Sequence, residues 1–394
     1  FLCRAVAVLA CVAGCGKPPP AADPAGPPPP APPQGGPVLA SPQAAAPPAG
    51  VPGSRPAPAP VELLSADVPR IRPKGRFRLP AQHLRGYDPD IQLSADGRRV
   101  ALGYFVRSNR MCNQVWDVGG EPALVADFPE HTGGVFALSP SGRRIVFREN
   151  KTVFDVGTRK PVCVLPTYFT YAFFRDEGTV VCAFQAANYA KPTRRPVTVW
   201  DVEKNADAGS FEVPDDRIDA ALPARGGGEL WLFLSGSRVE CYDTTTGRLA
   251  RALEPEPVFQ RLGPTYSGGW LYRGVAPDGS VVAADMWAEH RIYDGRTGKM
   301  VGALPAGMSG QPGGFVAGGS RYLGRAGDTL ARASGVAMTD LILCDWKTGR
   351  GLAVLTGFPP GRPSVHGAAS ADGRTVVAVS EEGEALVFDV SAVK

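Results

Sequence analysis

Seven aspartates carry the most regular chemistry in this 394-residue chain. Each follows an apolar or aromatic pair: Val115-Trp116-Asp117, Val153-Phe154-Asp155, Val199-Trp200-Asp201, Cys241-Tyr242-Asp243, Ile292-Tyr293-Asp294, Leu343-Cys344-Asp345 and Val387-Phe388-Asp389. A carboxylate can ligate a metal or move a proton. It can also accept backbone N–H bonds and hold a turn together. The spacing favours the turn, because the aspartates stand 38, 46, 42, 51, 51 and 44 positions apart and fall in separate units. His83, His131, His290 and His366 are far apart and form no metal-type pair. No nucleophile elbow, P-loop or dinucleotide fingerprint occurs, so no catalytic residue, metal ligand or cofactor is assigned. Gly226-Gly227-Gly228 and Gly313-Gly314 read as loop turns, not phosphate cradles.

Three of the eight cysteines lie within the first fifteen residues. Ala5 to Ala13 is an apolar run too short to span a bilayer, and Arg4 precedes it. It leads into Val12-Ala13-Gly14-Cys15, which resembles the bacterial lipobox. That resemblance implies a signal peptide over residues 1–15 and lipidation of Cys15. Val8-Leu9-Ala10-Cys11 is a poorer match. Gly16-Lys17 lacks the Asp that retains some lipoproteins in an inner membrane, which points outward. The chain opens on Phe1, and its true start is expected upstream. Pro18 to Pro60 holds 18 prolines in 43 residues with only Asp23 and Arg55 charged, so residues 16–60 are expected to be a disordered, extended tether. The remaining thiols, Cys112, Cys163, Cys182, Cys241 and Cys344, are an odd, scattered set. They suggest buried thiols, with one disulfide left open.

Residues 61–394 repeat. Tight turns precede the aspartates at Asp96-Gly97, Ser141-Gly142, Glu177-Gly178, Gly227-Gly228, Asp278-Gly279, Gly318-Gly319 and Asp372-Gly373, where glycine supplies positive φ. Apolar runs without alternation follow, such as Leu230-Trp231-Leu232-Phe233-Leu234, and strands of that kind need cover on both faces. A second turn follows several aspartates, as in Asp243-Thr244-Thr245-Thr246-Gly247, and then a fourth strand. Each unit therefore reads as four strands. The last unit ends after its third strand, and Gly75 to Pro80 matches the missing fourth, so these two are expected to pair and close the set.

These units resemble WD40 repeats, whose period is about 40–45 residues. The resemblance implies an all-β, seven-bladed β-propeller of four-stranded antiparallel blades over about Arg76 to Val390. True Trp-Asp pairs occur only at Trp116-Asp117 and Trp200-Asp201, and the family's Gly-His pair does not occur; His131 sits near one such position. The Asp-x-x-Thr-Gly-Lys/Arg turns also resemble quinoprotein-type repeats.

Charged residues are 20% of the chain and the net charge is +4, with no basic run interleaved with aromatics, which gives no case for nucleic acid. The leading expectation is a non-enzymatic, monomeric propeller serving as a protein-interaction scaffold. It would be a lipoprotein of the cell envelope, anchored through Cys15 and facing outside the cytoplasm. Contact is expected at the long excursions Gln185 to Val197, Pro255 to Trp270 and Arg325 to Asp340, with Arg110, Arg194 and Arg195 placed at loop positions. Trp231, Trp270 and Trp287 read as packing residues. The alternative is a propeller enzyme, a lactonase-like hydrolase or a quinoprotein-like oxidoreductase, with acidic or His groups converging on the central channel.

Overall fold

A computed structural model describes residues 64, 67–80, 89–106, 110–130, 134–148, 150–166, 169–183, 194–214, 218–234, 238–253, 272–286, 289–305, 308–316, 318–327, 330–331, 334–359 and 365–393. The expected signal peptide, Cys15 and the tether lie outside them, as do His83, His131, Trp270 and Trp287. No helix among the described residues is long and apolar enough to cross a membrane.

Seven antiparallel blades form a ring. Blade 1 is β3 (Asp90–Leu93), β4 (Arg99–Val106), β5 (Arg110–Asp117) and β6 (Ala123–Phe128). Blade 2 is β7 (Val135–Leu138), β8 (Arg144–Phe147), β9 (Thr152–Asp155) and β10 (Pro161–Val164). Blade 3 is β11 (Tyr171–Asp176), β12 (Thr179–Ala183), β13 (Arg194–Asp201) and β14 (Ala206–Pro214). Blade 4 is β15 (Ile218–Ala224), β16 (Glu229–Leu234), β17 (Arg238–Asp243) and β18 (Leu249–Leu253). Blade 5 is β19 (Tyr272–Val275), β20 (Val281–Met286), β21 (Glu289–Asp294) and β22 (Met300–Ala303). Blade 6 is β23 (Met308–Val316), β24 (Arg321–Ala326), β25 (Leu341–Asp345) and β26 (Arg350–Leu355). Blade 7 is β27 (Val365–Ala369), β28 (Thr375–Ser380) and β29 (Glu384–Asp389), completed by β2 (Gly75–Arg78).

The expected closure is present. Gly75 pairs with Val387 and Arg78 with Glu384, so the early strand becomes the outermost strand of the last blade. Phe77 stacks on Trp116 of blade 1 with ring centroids 4.3 Å apart, and Leu79 is fully buried beside it. The pairing removes an open edge from β29 and ties blades 7 and 1 together. A further strand is unforeseen: β1 (Arg70–Ile71) runs parallel to β26, placing Arg70 opposite Val354 and Ile71 opposite Leu355. The chain thus caps blade 6 before it closes blade 7.

The second strands explain the apolar runs. Every residue of β16 and of β28 is buried. Within β16, Leu230, Leu232 and Leu234 face a core shared with Val180 and Cys182 of blade 3. Trp231 and Phe233 face a core shared with Val282 and Tyr293 of blade 5. Both faces of the strand are covered by neighbouring blades, which is why alternation is lost.

Several local expectations need correction. Arg110 opens β5, and Arg194 and Arg195 open β13 opposite Pro214 and Val213; none sits in a loop. Their partner strands extend the ladder further than apolar patterning shows. Gly313 and Gly314 likewise lie within β23, where the register shifts between Ser309 and Gly314. Gly178 has no positive φ, because that turn is one residue shorter than its counterparts.

Candidate functional site

All seven repeat aspartates end the third strand of their blades and accept a backbone N–H from the following turn. Asp243 Oδ1 accepts from Thr245 N at 2.9 Å, Thr246 N at 2.7 Å and Thr246 Oγ1 at 3.1 Å. Asp294 repeats this with Arg296 N, Thr297 N and Thr297 Oγ1. Asp155 holds Thr158, Asp201 holds Lys204, Asp345 holds Lys347, Asp117 holds Gly119 and Asp389 holds Ser391. Hydrogen bonds to the charged form favour it. The Thr158, Thr246 and Thr297 amides hold Asp155, Asp243 and Asp294 below the ordinary aspartate value of 3.8, as do the Lys204 ammonium for Asp201 and Ser391 for Asp389.

These carboxylates tie stability to pH. Their folded values lie below the unfolded one, so the contribution is complete above 3.8 and is lost as pH falls through the folded values. Urea midpoints should therefore be level near neutrality and fall between about pH 5 and about pH 3. Asparagine at both Asp243 and Asp294 should flatten that fall.

The position four residues after the aspartate is left-handed in five blades. Glycine fills it at Gly247 (φ 68°), Gly298 (φ 71°) and Gly349 (φ 70°), but Arg159 (φ 59°) and Asn205 (φ 48°) stand there in blades 2 and 3. A bulky L-residue in that conformation carries a cost of roughly 1–2 kcal/mol. Glycine also loses more chain entropy on folding. Arg159→Gly should therefore stabilise the protein by about 0.5–1 kcal/mol, read as a higher urea midpoint at unchanged slope.

The first turns interlock the blades. In five blades the residue two places after the turn glycine reaches the turn of the next blade. Arg99 donates from Nη1 to Gly142 O at 3.0 Å, and Arg144 donates from Nη1 to Glu177 O at 2.6 Å. Glu229 lies against Gly279 and Val281 against Gly319, where an added Cβ would meet them at 2.6 and 2.8 Å. At the closing junction the equivalent residue is Thr375, which abuts Gly97. Three buried serines, Ser94, Ser139 and Ser370, each take a backbone N–H across the same turn. Their fixed spacing, three residues before the turn glycine, was a sequence signal left unused.

Thr375 is shorter than Arg99, Arg144 and Glu229, which hold this position in blades 1, 2 and 4. A shallow cleft of about 510 Å³ opens beside Thr375, lined by Lys74, Arg98 and Arg374 with Asp96, Asp372 and Asp389. A second recess of about 570 Å³ adjoins it through Lys74 and Gly119 and includes Arg76 and Glu121. The carboxylates are already engaged: Asp96 accepts from Ser94 Oγ (2.7 Å) and Arg98 N (3.1 Å), and Asp372 accepts from Ser370 Oγ and Arg374 N. Asp389 stays ionised at neutral pH, with Lys74 and Arg374 adding to the pull of Ser391. Among the described residues the three basic side chains make no ion pair. The arrangement can bind charged or polar groups, but Asp389 has no proton to give.

A buried charge cluster in blade 4 also escaped the sequence reading. Glu229 pairs with Arg251 across 22 residues, and Arg225 Nε lies 3.3 Å from the same carboxylate. Arg251 sits 5.2 Å from the Trp231 ring and 3.4 Å from Cys241 Sγ. Also in blade 4, Glu240 accepts from Tyr242 Oη at 2.6 Å and pairs with Arg238 at 2.9 Å. No disulfide joins cysteines among the described residues. Cys163, Cys182, Cys241 and Cys344 are buried free thiols, and Cys112 is half-buried. Burial pushes Cys163 up to about 11 and both Cys241 and Cys344 up to about 12, so these three are inert at neutral pH.

The structure brings none of the seven aspartates together into one cluster; Asp389 alone lines the seam cleft. Among the described residues no three His, Cys, Asp or Glu gather as a metal site. His366 is half-buried on β27. Gln185 to Thr193 and Pro255 to Trp270 lie outside the described residues, whereas Arg325 belongs to β24.

Ring and repeats define the chain as a seven-bladed β-propeller with WD40-like blades. No protein-family model matches it, and no curated protein matches it. A chain in a crystal structure of the mitotic checkpoint complex is similar to it, with a TM-score of 0.55 and 13% identity, covering 90% of this chain and 98% of that one. It is one of 1583 matching chains of solved structures, so the likeness speaks to fold and selects no function.

Proposed function

We propose that this chain is a membrane-anchored, non-catalytic WD40-like propeller that acts as a protein-interaction scaffold in the cell envelope. The carrying observation is the seam between blades 7 and 1. Its carboxylates are consumed by turn hydrogen bonds, while Lys74, Arg98 and Arg374 remain exposed around an open recess. Such a surface suits charged side chains of a protein partner better than it suits proton transfer or bond cleavage. The anchor rests on the lipobox-like Val12-Ala13-Gly14-Cys15, and the tether would let the propeller range above the membrane.

The test is a mild-detergent pull-down of the full-length protein from its native membranes, read by mass spectrometry. A stoichiometric protein partner is expected, and Arg98→Glu with Arg374→Glu should lose it. A preparation without any partner would sink the scaffold reading. Palmitate labelling abolished by Cys15→Ser is expected for the anchor, and labelling that survives the substitution would remove Cys15 from that role.

A further inference from the structure

Residues 70–78 read Arg-Ile-Arg-Pro-Lys-Gly-Arg-Phe-Arg, with a basic residue at every second position. Arg70, Arg72, Lys74, Arg76 and Arg78 are all exposed; Ile71, Pro73 and Gly75 between them are half-buried, and Phe77 is buried. β1 and β2 fix this alternation, because both are outermost strands that turn one row of side chains inward. Arg76 reaches Glu384 at 3.6 Å; among the described residues the other four make no ion pair.

We propose that this strip is an electrostatic docking surface for anionic phospholipid headgroups. It rests on the anchored reading above. Basic residues often guard sheet edges against pairing, but the other blades show that this ring does not use them so. The outermost strands of blades 1 to 5 (β6, β10, β14, β18 and β22) contain one Lys or Arg between them. That residue is Arg251, turned inward to Glu229. Those strands leave Leu124, Val164, Leu249 and Met300 exposed instead. Two short strands of the strip, β1 and β2, carry three charges, Arg70, Arg76 and Arg78, against one in five other outermost strands, a placement that edge protection does not explain.

Two further points choose lipid as the occupant. The strip holds the first strands after the proline-rich tether, so along the chain it is the part of the propeller nearest Cys15. It is a row of point charges with no exposed aromatic anchor within it, which fits a fluid array of phosphates better than a shaped protein surface. A lipid chain and a basic patch acting together are a recognised pair of membrane signals.

The test uses the full chain carrying Cys15→Ser, so that no acyl group contributes. Co-sedimentation is measured with vesicles of phosphatidylcholine and with vesicles that also contain phosphatidylglycerol. The neutral vesicles report whatever the apolar amino-terminal run adds. Binding should require phosphatidylglycerol and weaken with added salt. Arg70→Ser, Arg72→Ser and Arg78→Ser together should lower it at least about tenfold, while lysine at the same three positions should retain it. Arg143→Ser, Arg248→Ser and Arg296→Ser remove the same charge from turns elsewhere and should have little effect. Arg72→Ser alone gives the comparison should the triple variant not fold. Equal binding to both vesicles, an equal fall in the turn variant, or no fall in the strip variant would overturn the proposal. So would loss of a protein partner from the strip variant with vesicle binding intact. No partner protein is present in this assay, so its failure leaves the scaffold reading standing, and the pull-down can fail while vesicle binding holds.

Discussion

Replacing Phe77 and Leu79 together by alanine should destabilise the propeller by about 5–10 kcal/mol, the sum of typical large-to-small costs for a buried Phe and Leu. Both side chains lie in one core with Val100, Leu102 and Tyr104 of blade 1 and Val377, Val379 and Val387 of blade 7. They are neighbours, so their separate costs will not add simply. The loss is comparable to the whole stability of an ordinary domain. It falls on blade 7, whose fourth strand comes from the opposite end of the repeat region, so the ring should open there first. Loss of the Phe77–Trp116 stack offers a fluorescence signal for that opening. The variant should also associate, because β29 would present an unpaired edge. Urea titration followed by tryptophan fluorescence and by circular dichroism checks this; a midpoint unchanged from the parent would contradict the closure.

Arg251→Met is the second large effect. Only 9% of the Glu229 side chain and 16% of the Arg251 side chain are exposed. Removing the cation would leave the buried carboxylate with only the exposed Arg225 beside it, at a cost of up to about 3–5 kcal/mol. Glu229→Gln should be damaging for the converse reason, leaving Arg251 over Trp231 without its counter-ion. Glu229→Leu combined with Arg251→Met should recover much of the loss, because the pair's desolvation cost goes with it. A double-mutant cycle on urea midpoints measures the coupling. Additive single effects would show that Glu229 and Arg251 do not act as a pair. Arg225, more than half exposed, should matter less.

The sequence by itself determined the features that depend on neighbours along the chain. The aspartate ending each third strand, the turn glycines and the doubly buried second strands are local patterns, and a hairpin turn or a strand's cover leaves its mark within a few residues. Closure was also legible, since Gly75 to Pro80 stands where a missing fourth strand was needed. The ladders of β5 and β13 run on through Arg110, Arg194 and Arg195 because partner strands supply the hydrogen bonds, a reason that apolar patterning does not carry. β1 is too short to show periodicity and exists only because β26 offers it an edge. Glu229 and Arg251 look like surface residues of separate strands until blade 4 folds and blade 5 packs against it. The seam cleft lies where Thr375 holds the position that Arg99 and Arg144 hold at the first two junctions, and only the ring brings blades 7 and 1 side by side there. Tertiary structure decided these features because burial and charge pairing depend on what a neighbouring blade brings to the contact.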